Sequence, residues 1–316
     1  MLQSMKMAWE IIFPIALMLT IGIGCRKAGL VKSSTVQDVN RLVFNLFLPL
    51  MNFMNIYSTD KAQFFTRDNL VLLAICSAST VGSAVITGFV LRLRKCEPRV
   101  RGVLIQSAYQ TNGAIFALPI ITALCGSDQL APMSLLFLAL SPLYMVQAVL
   151  VLAPIRGGER NLKKTMREIV RNPIIIASVV AFLFLMLNIK LPVTVTDTLQ
   201  KMANVTTPLS FVVLGASLSL GGFRKNLVRL CSAGFVRLIL VPALCLTAGL
   251  LLGLRGAHIA TMVCLMGAPV AVSSFTLAQT YGADESLAAE IVTTTTLAAA
   301  VTMFCWITLL NHFALI

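Results

Sequence analysis

The chain has 316 residues, of which 58% are hydrophobic and only 12% charged, with a mean hydropathy of +0.89. A soluble domain of this length cannot hide so much apolar side chain, so the composition excludes a water-soluble protein and points to an integral membrane protein. The net charge of +13 would suggest nucleic acid in a soluble chain, but no nucleic-acid partner is expected here, because the charges lie in loops between apolar runs and report topology.

Ten apolar runs are long enough to approach the roughly 17–25 residues of a transmembrane helix. Helices are expected, since the runs are too long and too uniformly apolar for barrel strands. The first run, 7–25, is preceded by Lys6 and carries Glu10, with no small-residue cleavage site behind it, so it reads as a span rather than a signal peptide. The second, 42–57, places Asn45 four residues before Pro49-Leu50. The third, 70–91, is followed by 103–125, where Gln106, Ser107, Gln110, Thr111 and Asn112 precede Gly113 and Pro119. The fifth run, 131–154, ends the first half. The second half supplies 173–191, then 202–220 with Asn204 four residues before Pro208-Leu209, then 230–254. In the ninth run, 259–281, Gly267 and Pro269 precede Ser273, Ser274, Thr276 and Gln279. The last run, 287–310, contains Glu290 about a turn inside.

The repeated Asn-x-x-x-Pro-Leu signature marks an internal duplication. A second pair agrees, Gly126-Ser-Asp128 answering to Gly282-Ala-Asp284. The expected division is a first five-helix repeat over 1–155, a cytoplasmic linker loop over 156–171 and a second repeat over 172–316. Basic residues fall in alternate loops. Arg26, Lys27 and Lys32, then Arg92, Arg94, Lys95, Arg99 and Arg101, then Arg156, Arg160, Lys163, Lys164, Arg167 and Arg171, and finally Arg224, Lys225 and Arg229 lie on one side. Lys6, Lys61, Arg67, Lys190, Lys201 and Arg255 lie on the other, 17 against 6. The positive-inside rule then places both termini outside. Five spans per half make the repeats inverted.

The interior chemistry is defined by what is missing. Nearly all acidic residues, Glu10 among them, sit in loops or at span ends, and only Glu290 has a position that allows it any depth, so a mid-membrane carboxylate relay is not expected. The eight cysteines are scattered without metal-ligand or redox spacing, and neither a metal nor a cofactor is expected. No His-Glu cluster, Gly-x-Ser-x-Gly elbow or phosphate-cradling loop is present, so an enzyme is the least favoured class. Uncharged polar residues instead adjoin helix breakers in runs four and nine. A proline inside a helix frees a carbonyl, which lipid tolerates only where protein or a water-filled cavity answers it. Half-helix N-termini at such breaks favour an anion. Against this stand plainer readings. Asn45 and Asn204 can simply bond a neighbouring helix or carbonyls freed by Pro49 and Pro208; Arg41 and Arg237, near the inner face, can snorkel to headgroups; Thr293–Thr296 can serve packing rather than an ion.

The stretches NGAIFALPIITALCG (112–126), Asn172-Pro173-Ile174-Ile175, PLSFVVLGASL (208–218) and PVAVSSFTLAQTYG (269–282) resemble the auxin efflux carrier family over essentially the whole chain. The short linker resembles the compact bacterial members rather than plant PIN proteins, which carry a long hydrophilic insertion there. The resemblance implies an all-α membrane fold of ten transmembrane helices, two inverted five-helix repeats in which helices 4 and 9 are broken and cross. It also implies a scaffold of spans 1, 2, 6 and 7 against which the rest move in an elevator-like cycle. Family substrates are organic anions such as auxin, malate or malonate. Carried onto this chain, the crossover corresponds to Pro119 and Pro269, Asn112 is the carboxylate contact, and Asn45 and Asn204 face the site. The Gly-x-Asp alignment, however, sets Gly113 opposite Pro269 and Ala268 opposite Asn112.

The expectation is a multi-pass cell-membrane transporter of small organic anions, with Asn45, Asn112, Gly113, Pro119, Asn204, Gly267 and Pro269 about its binding site and Glu290 as a candidate coupling group. Its partners are the small organic anion, the lipid bilayer and, through the scaffold spans, a candidate homodimer. The alternatives are a sodium-coupled symporter of the bile-acid type, a non-transporting receptor and a channel.

Overall fold

The computed structural model describes residues 2–58, 66–125, 131–157, 167, 170–217 and 222–316; among these the chain is helical apart from turns and one isolated bridge between Thr111 and Val270. The first half supplies α1 (Leu2–Lys27), α2 (Ser33–Leu42), α3 (Leu48–Tyr57), α4 (Arg67–Leu93), α5 (Pro98–Tyr109), α6 (Leu118–Cys125) and α7 (Ala131–Gly157). The second supplies α8 (Pro173–Met186), α9 (Val193–Ser217), α10 (Gly222–Phe235), α11 (Val241–Leu251), α12 (Ala257–Met266), α13 (Ser273–Tyr281) and α14 (Glu285–His312). The repeat pair Gly126–Asp128 and most of the linker, 158–166 and 168–169, lie outside the described residues.

Helix ends follow local chemistry. Asn172 opens α8 by accepting from the Ile174 and Ile175 amides at 2.9 and 3.3 Å, with Pro173 at the first helical position, where no N–H is needed. Asp284 caps α14 through the Leu287 amide at 3.0 Å, directly after Gly282 closes α13 with φ of +71°, a conformation that favours glycine.

Three π turns interrupt the helices: Val43–Phe47 joins α2 to α3, Gly113–Ala117 leads into α6, and Val236–Leu240 joins α10 to α11. Each is followed by a proline, respectively Pro49, Pro119 and Pro242. Proline lacks the amide and crowds the carbonyl four residues back, and widening that turn relieves the clash. A carbonyl loosened in this way finds a side-chain donor: Leu238, four residues before Pro242, accepts from Trp306 Nε1 at 2.9 Å. At the first π turn the Phe47 carbonyl also accepts a side-chain donor, Thr206 Oγ1, at 3.0 Å.

Four helices are long and apolar enough to cross a membrane by length and composition, 67–93, 135–155, 224–251 and 285–312, among the described residues. The sequence led us to expect ten. The shortfall has a physical origin in several of the runs: 42–57 is divided by a π turn, 103–125 and 259–281 are broken in the middle, and α8 has only 14 residues. Outward faces are apolar, with Val85, Ile86 and Phe89 of α4 and Leu244 and Leu251 of α11 exposed, as lipid contact requires.

Packing separates two groups. Helix α1 lies along α9, α9 against α3, and α3 against α8, while α4, α5, α7 and α10–α14 gather around the broken segments. The α1–α9 contact is backbone against backbone. A Cβ on Gly22 would fall onto the Val212 carbonyl oxygen, and one on Gly215 onto the Leu19 carbonyl oxygen. Small residues permit this approach, which replaces the missing hydrophobic drive between helices in lipid. Gly22→Ala or Gly215→Ala is therefore expected to destabilise the protein by about 1–3 kcal/mol, because main-chain atoms cannot step aside. Thermal unfolding in detergent checks this, with Gly24→Ala, which meets nothing within 4 Å, as the neutral control.

Candidate functional site

Helix α5 ends at Tyr109, and the next helical segment starts at Gly113; α12 ends at Met266, and α13 starts at Ser273. The extended residues between them cross. The Asn112 amide donates to the Pro269 carbonyl at 2.9 Å, and the Ala271 amide donates to the Gln110 carbonyl at 3.2 Å, making the antiparallel bridge Thr111↔Val270. Each broken segment thus supplies part of what the other lacks. Thr111 Oγ1 donates to the Leu265 carbonyl at 2.7 Å, and the Val270 amide donates to Thr295 Oγ1 at 3.3 Å. Gln110 ties the end of α5 to the start of α13: its Nε2 donates to Ser273 Oγ at 3.0 Å, while its Oε1 accepts from Gln106 at 2.7 Å.

Two helix C-termini meet at this crossing, and their carbonyls converge on Arg237. This side chain is fully buried. Its Nε donates to Ala268 O at 3.0 Å, Nη1 to Ala108 O and Tyr109 O at 3.2 and 3.3 Å, and Nη2 to Leu265 O and Met266 O at 3.3 and 2.7 Å. A guanidinium has five N–H groups, and each has a carbonyl here. Burying a lone cation is costly, but carbonyls at helix C-termini carry the negative dipole end that offsets the charge. The snorkelling read from the sequence is corrected: Arg237 turns inward, and none of these bonds goes to a carboxylate.

The complementary ends, the starts of the two following helices, line a cavity of about 100 Å³. Gln110, Thr111, Asn112 and Gly113 contribute from one break and Val272 and Ser273 from the other; Asn52 and Asn55 of α3, Thr206 and Thr207 of α9, and Ser141 and Tyr144 of α7 add to its polar lining. Asn112 is 6% exposed, and its Nδ2 has no hydrogen-bond partner. A buried amide left so is costly unless something else accepts from it. A larger groove of about 670 Å³ between α4, α5, α10 and α11 is walled mostly by apolar groups such as Ile75, Ile86, Leu240 and Leu244. Of its polar side chains, Ser83, Ser107 and Ser232 donate to carbonyls of their own helices, and it is the weaker candidate.

The residues singled out from sequence are distributed as follows. Asn112 and Gly113 line the cavity. Pro269 lies in the crossing, and Gly267 closes α12 by donating to Val263 O at 2.8 Å. The crossover was expected at Pro119 and Pro269, but the first break lies upstream at Gln110–Asn112. Pro119 belongs to α6, and its side chain lies outside the described set. Asn45 and Asn204 are exposed: Asn45 Nδ2 donates to Arg41 O at 2.8 Å, and Asn204 Oδ1 accepts from Gln200 at 2.8 Å. Neither lines the cavity. Glu290 is buried apart from it, accepting from Asn226 Nδ2 at 2.9 Å and Ser286 Oγ at 3.4 Å. The hydroxyls of Thr293, Thr294, Thr295 and Thr296 donate to carbonyls of their own helix at 2.6–2.9 Å, which is not a converging ion cage. Among the described residues no group of three His, Cys, Asp or Glu could hold a metal ion.

Sequence reasoning missed Asn52, Thr206 and Arg237. Thr206 and Thr207 stand directly before Pro208, and Asn52 stands just after Pro49; that nearness to proline was the available signal.

Comparison with known proteins adds the family context. A family profile described as membrane transport protein matches residues 7–307. An uncharacterized transporter of Methanocaldococcus jannaschii is 20% identical over 308 residues, covering 95% of this chain and 98% of the relative. An uncharacterized transporter of Methanothermobacter thermautotrophicus is 21% identical over 298 residues, covering 94% and 96%.

Thr111→Val removes the donor to Leu265 O while keeping the shape. It is expected to lower stability by about 1 kcal/mol, with Thr111→Ser closer to the native value, as read by thermal unfolding.

Proposed function

Because the chain belongs to the membrane transport protein family, that of the auxin efflux carriers, we propose that it is a secondary transporter of small organic anions, with mono- or dicarboxylates as its substrate class. The observation that carries this reading is the buried Asn112 side chain, whose Nδ2 has no hydrogen-bond partner, in a cavity lined by the first residues of two half-helices. Orphan N–H groups and the positive dipole end at each helix start attract a carboxylate, and the Asn112 Nδ2–H group can donate to it. Among the described residues that line the cavity there is no aspartate or glutamate to repel it.

In the proposed cycle the anion binds at the crossing and is exposed alternately to each side. Ten spans arranged as two inverted repeats, with both termini outside in the cell membrane, suit this mechanism. The grouping of α1, α3, α8 and α9 supports a static scaffold, against which the bundle holding the crossing slides. The cavity lies at the boundary between them: α3 and α9 provide Asn52, Asn55, Thr206 and Thr207, and the crossing provides the rest. If protons drive the cycle, the carrier is the substrate's own carboxyl group or Glu290.

Uptake of labelled malate, malonate and other weak acids into proteoliposomes, with and without a proton gradient, tests the proposal. Saturable uptake is expected. Loss of the Asn112 bond should weaken it by roughly 10–100-fold in Asn112→Ala, the scale of a hydrogen bond to a charged group. Replacing sodium by choline is expected to leave uptake unchanged. Absence of uptake of every acid, with and without the gradient, would sink the transporter reading, and a marked sodium requirement would move it to the bile-acid type.

A further inference from the structure

Arg237 occupies an unusual position for a buried cation. It does not line the cavity, yet it holds the main chain at the crossing, within one or two residues of Gln110, Thr111 and Val270. At such a crossing two helix C-termini and two helix N-termini lie close together. Left alone, the negative and positive dipole ends would largely cancel, and the cavity would feel little net field. Arg237 takes up the carbonyls of Ala108, Tyr109, Leu265, Met266 and Ala268. The N-terminal ends at Gly113 and Ser273 then stand uncompensated, with a full positive charge behind them.

We propose that Arg237 is a positioning residue that sets the charge preference of the cavity, making it select anions without touching them. This rests on reading the cavity as the substrate site, and it assigns the source of that site's potential. The guanidinium has two roles: its five-donor fork fixes the crossing, and its charge sets the field. A lysine retains the charge but has three donors from one point, so it cannot reach carbonyls spread over two helices. The two roles are therefore separable by substitution.

Because the field acts on any charged probe, it can be measured without knowing the substrate. Ser273 is partly exposed and lines the cavity, so a cysteine placed there reports the local potential. The experiment compares the rates at which Ser273→Cys reacts with the negatively charged ethylsulfonate and the positively charged trimethylammonium-ethyl methanethiosulfonates, in reconstituted full-length protein. The exposed Cys231 and Cys305 are replaced by serine, and the same protein without the Ser273→Cys change supplies the background rate.

The native Arg237 background should react faster with the anionic reagent. Arg237→Met is expected to reduce the anionic-to-cationic rate ratio by roughly tenfold or more, on the scale of one buried charge near the site. Arg237→Lys should keep the ratio within about threefold of native while losing thermal stability, because it keeps the charge and loses the fork. An unchanged ratio in folded Arg237→Met overturns the proposal. So does a collapsed ratio in folded Arg237→Lys, which decides the matter if the methionine variant does not fold. Adding malonate to the native-background protein separates the two readings. Protection of the introduced thiol by malonate supports the substrate site, whereas a charge-dependent ratio without protection keeps Arg237's role and removes malonate as the ligand.

Discussion

Everything at the centre of this molecule follows from one constraint: a helix interrupted inside lipid leaves carbonyls and amides that water cannot reach. Here two interruptions are solved jointly. The extended residues of each satisfy the other through the Asn112–Pro269 and Ala271–Gln110 bonds, and the remaining carbonyls of both are gathered by Arg237. The solution is asymmetric in a useful way. On the carbonyl side Arg237 answers Ala108, Tyr109, Leu265, Met266 and Ala268, whereas the amide side opens on a cavity. What remains unanswered there, including Asn112 Nδ2, is the chemistry available to a ligand.

Much of this was legible in the residues. Gly113 beside Asn112, and Gly267 and Pro269 before Ser273, marked both breaks, although the first was expected nearer Pro119, and Asn112 was readable as a polar group stranded at one of them. What the residues could not convey was rotation. In an undisturbed helix Asn45 and Asn52, two turns apart, would share a face, and the first of them would look into the protein with the second. The π turn Val43–Phe47 adds a residue to the turn and about 100° of rotation. Asn45 consequently points out while Asn52, 8% exposed, bonds Ser178. Thr206 faces inward for a simpler reason, since two residues along α9 from exposed Asn204 is the opposite side of the helix.

Arg237 eluded sequence reading because its partners are not sequence features. They are main-chain carbonyls of two helices remote from it along the chain, and carbonyls look the same at every position. Only the folded backbone makes them converge. An arginine in an apolar run five residues before a proline is ambiguous between a headgroup contact and a helix-end clamp, and the difference lies in where other helices stop. The same holds for the contact between α1 and α9. Gly22 and Gly215 look like ordinary small residues of membrane helices until α1 and α9 meet across them.

The single bridge at the crossing also has an evolutionary consequence. An added or lost residue in 110–112 would slide Thr111 off Val270, turn Asn112 away from the cavity and withdraw carbonyls from a guanidinium that has no spare donors. The partner segment, 267–272, would need a simultaneous and matching change. Drift in length is thus disfavoured at these two short stretches even though they are irregular backbone between helices. Side chains along the cavity wall are under no such restriction, since a substitution there leaves the knot of main chain intact.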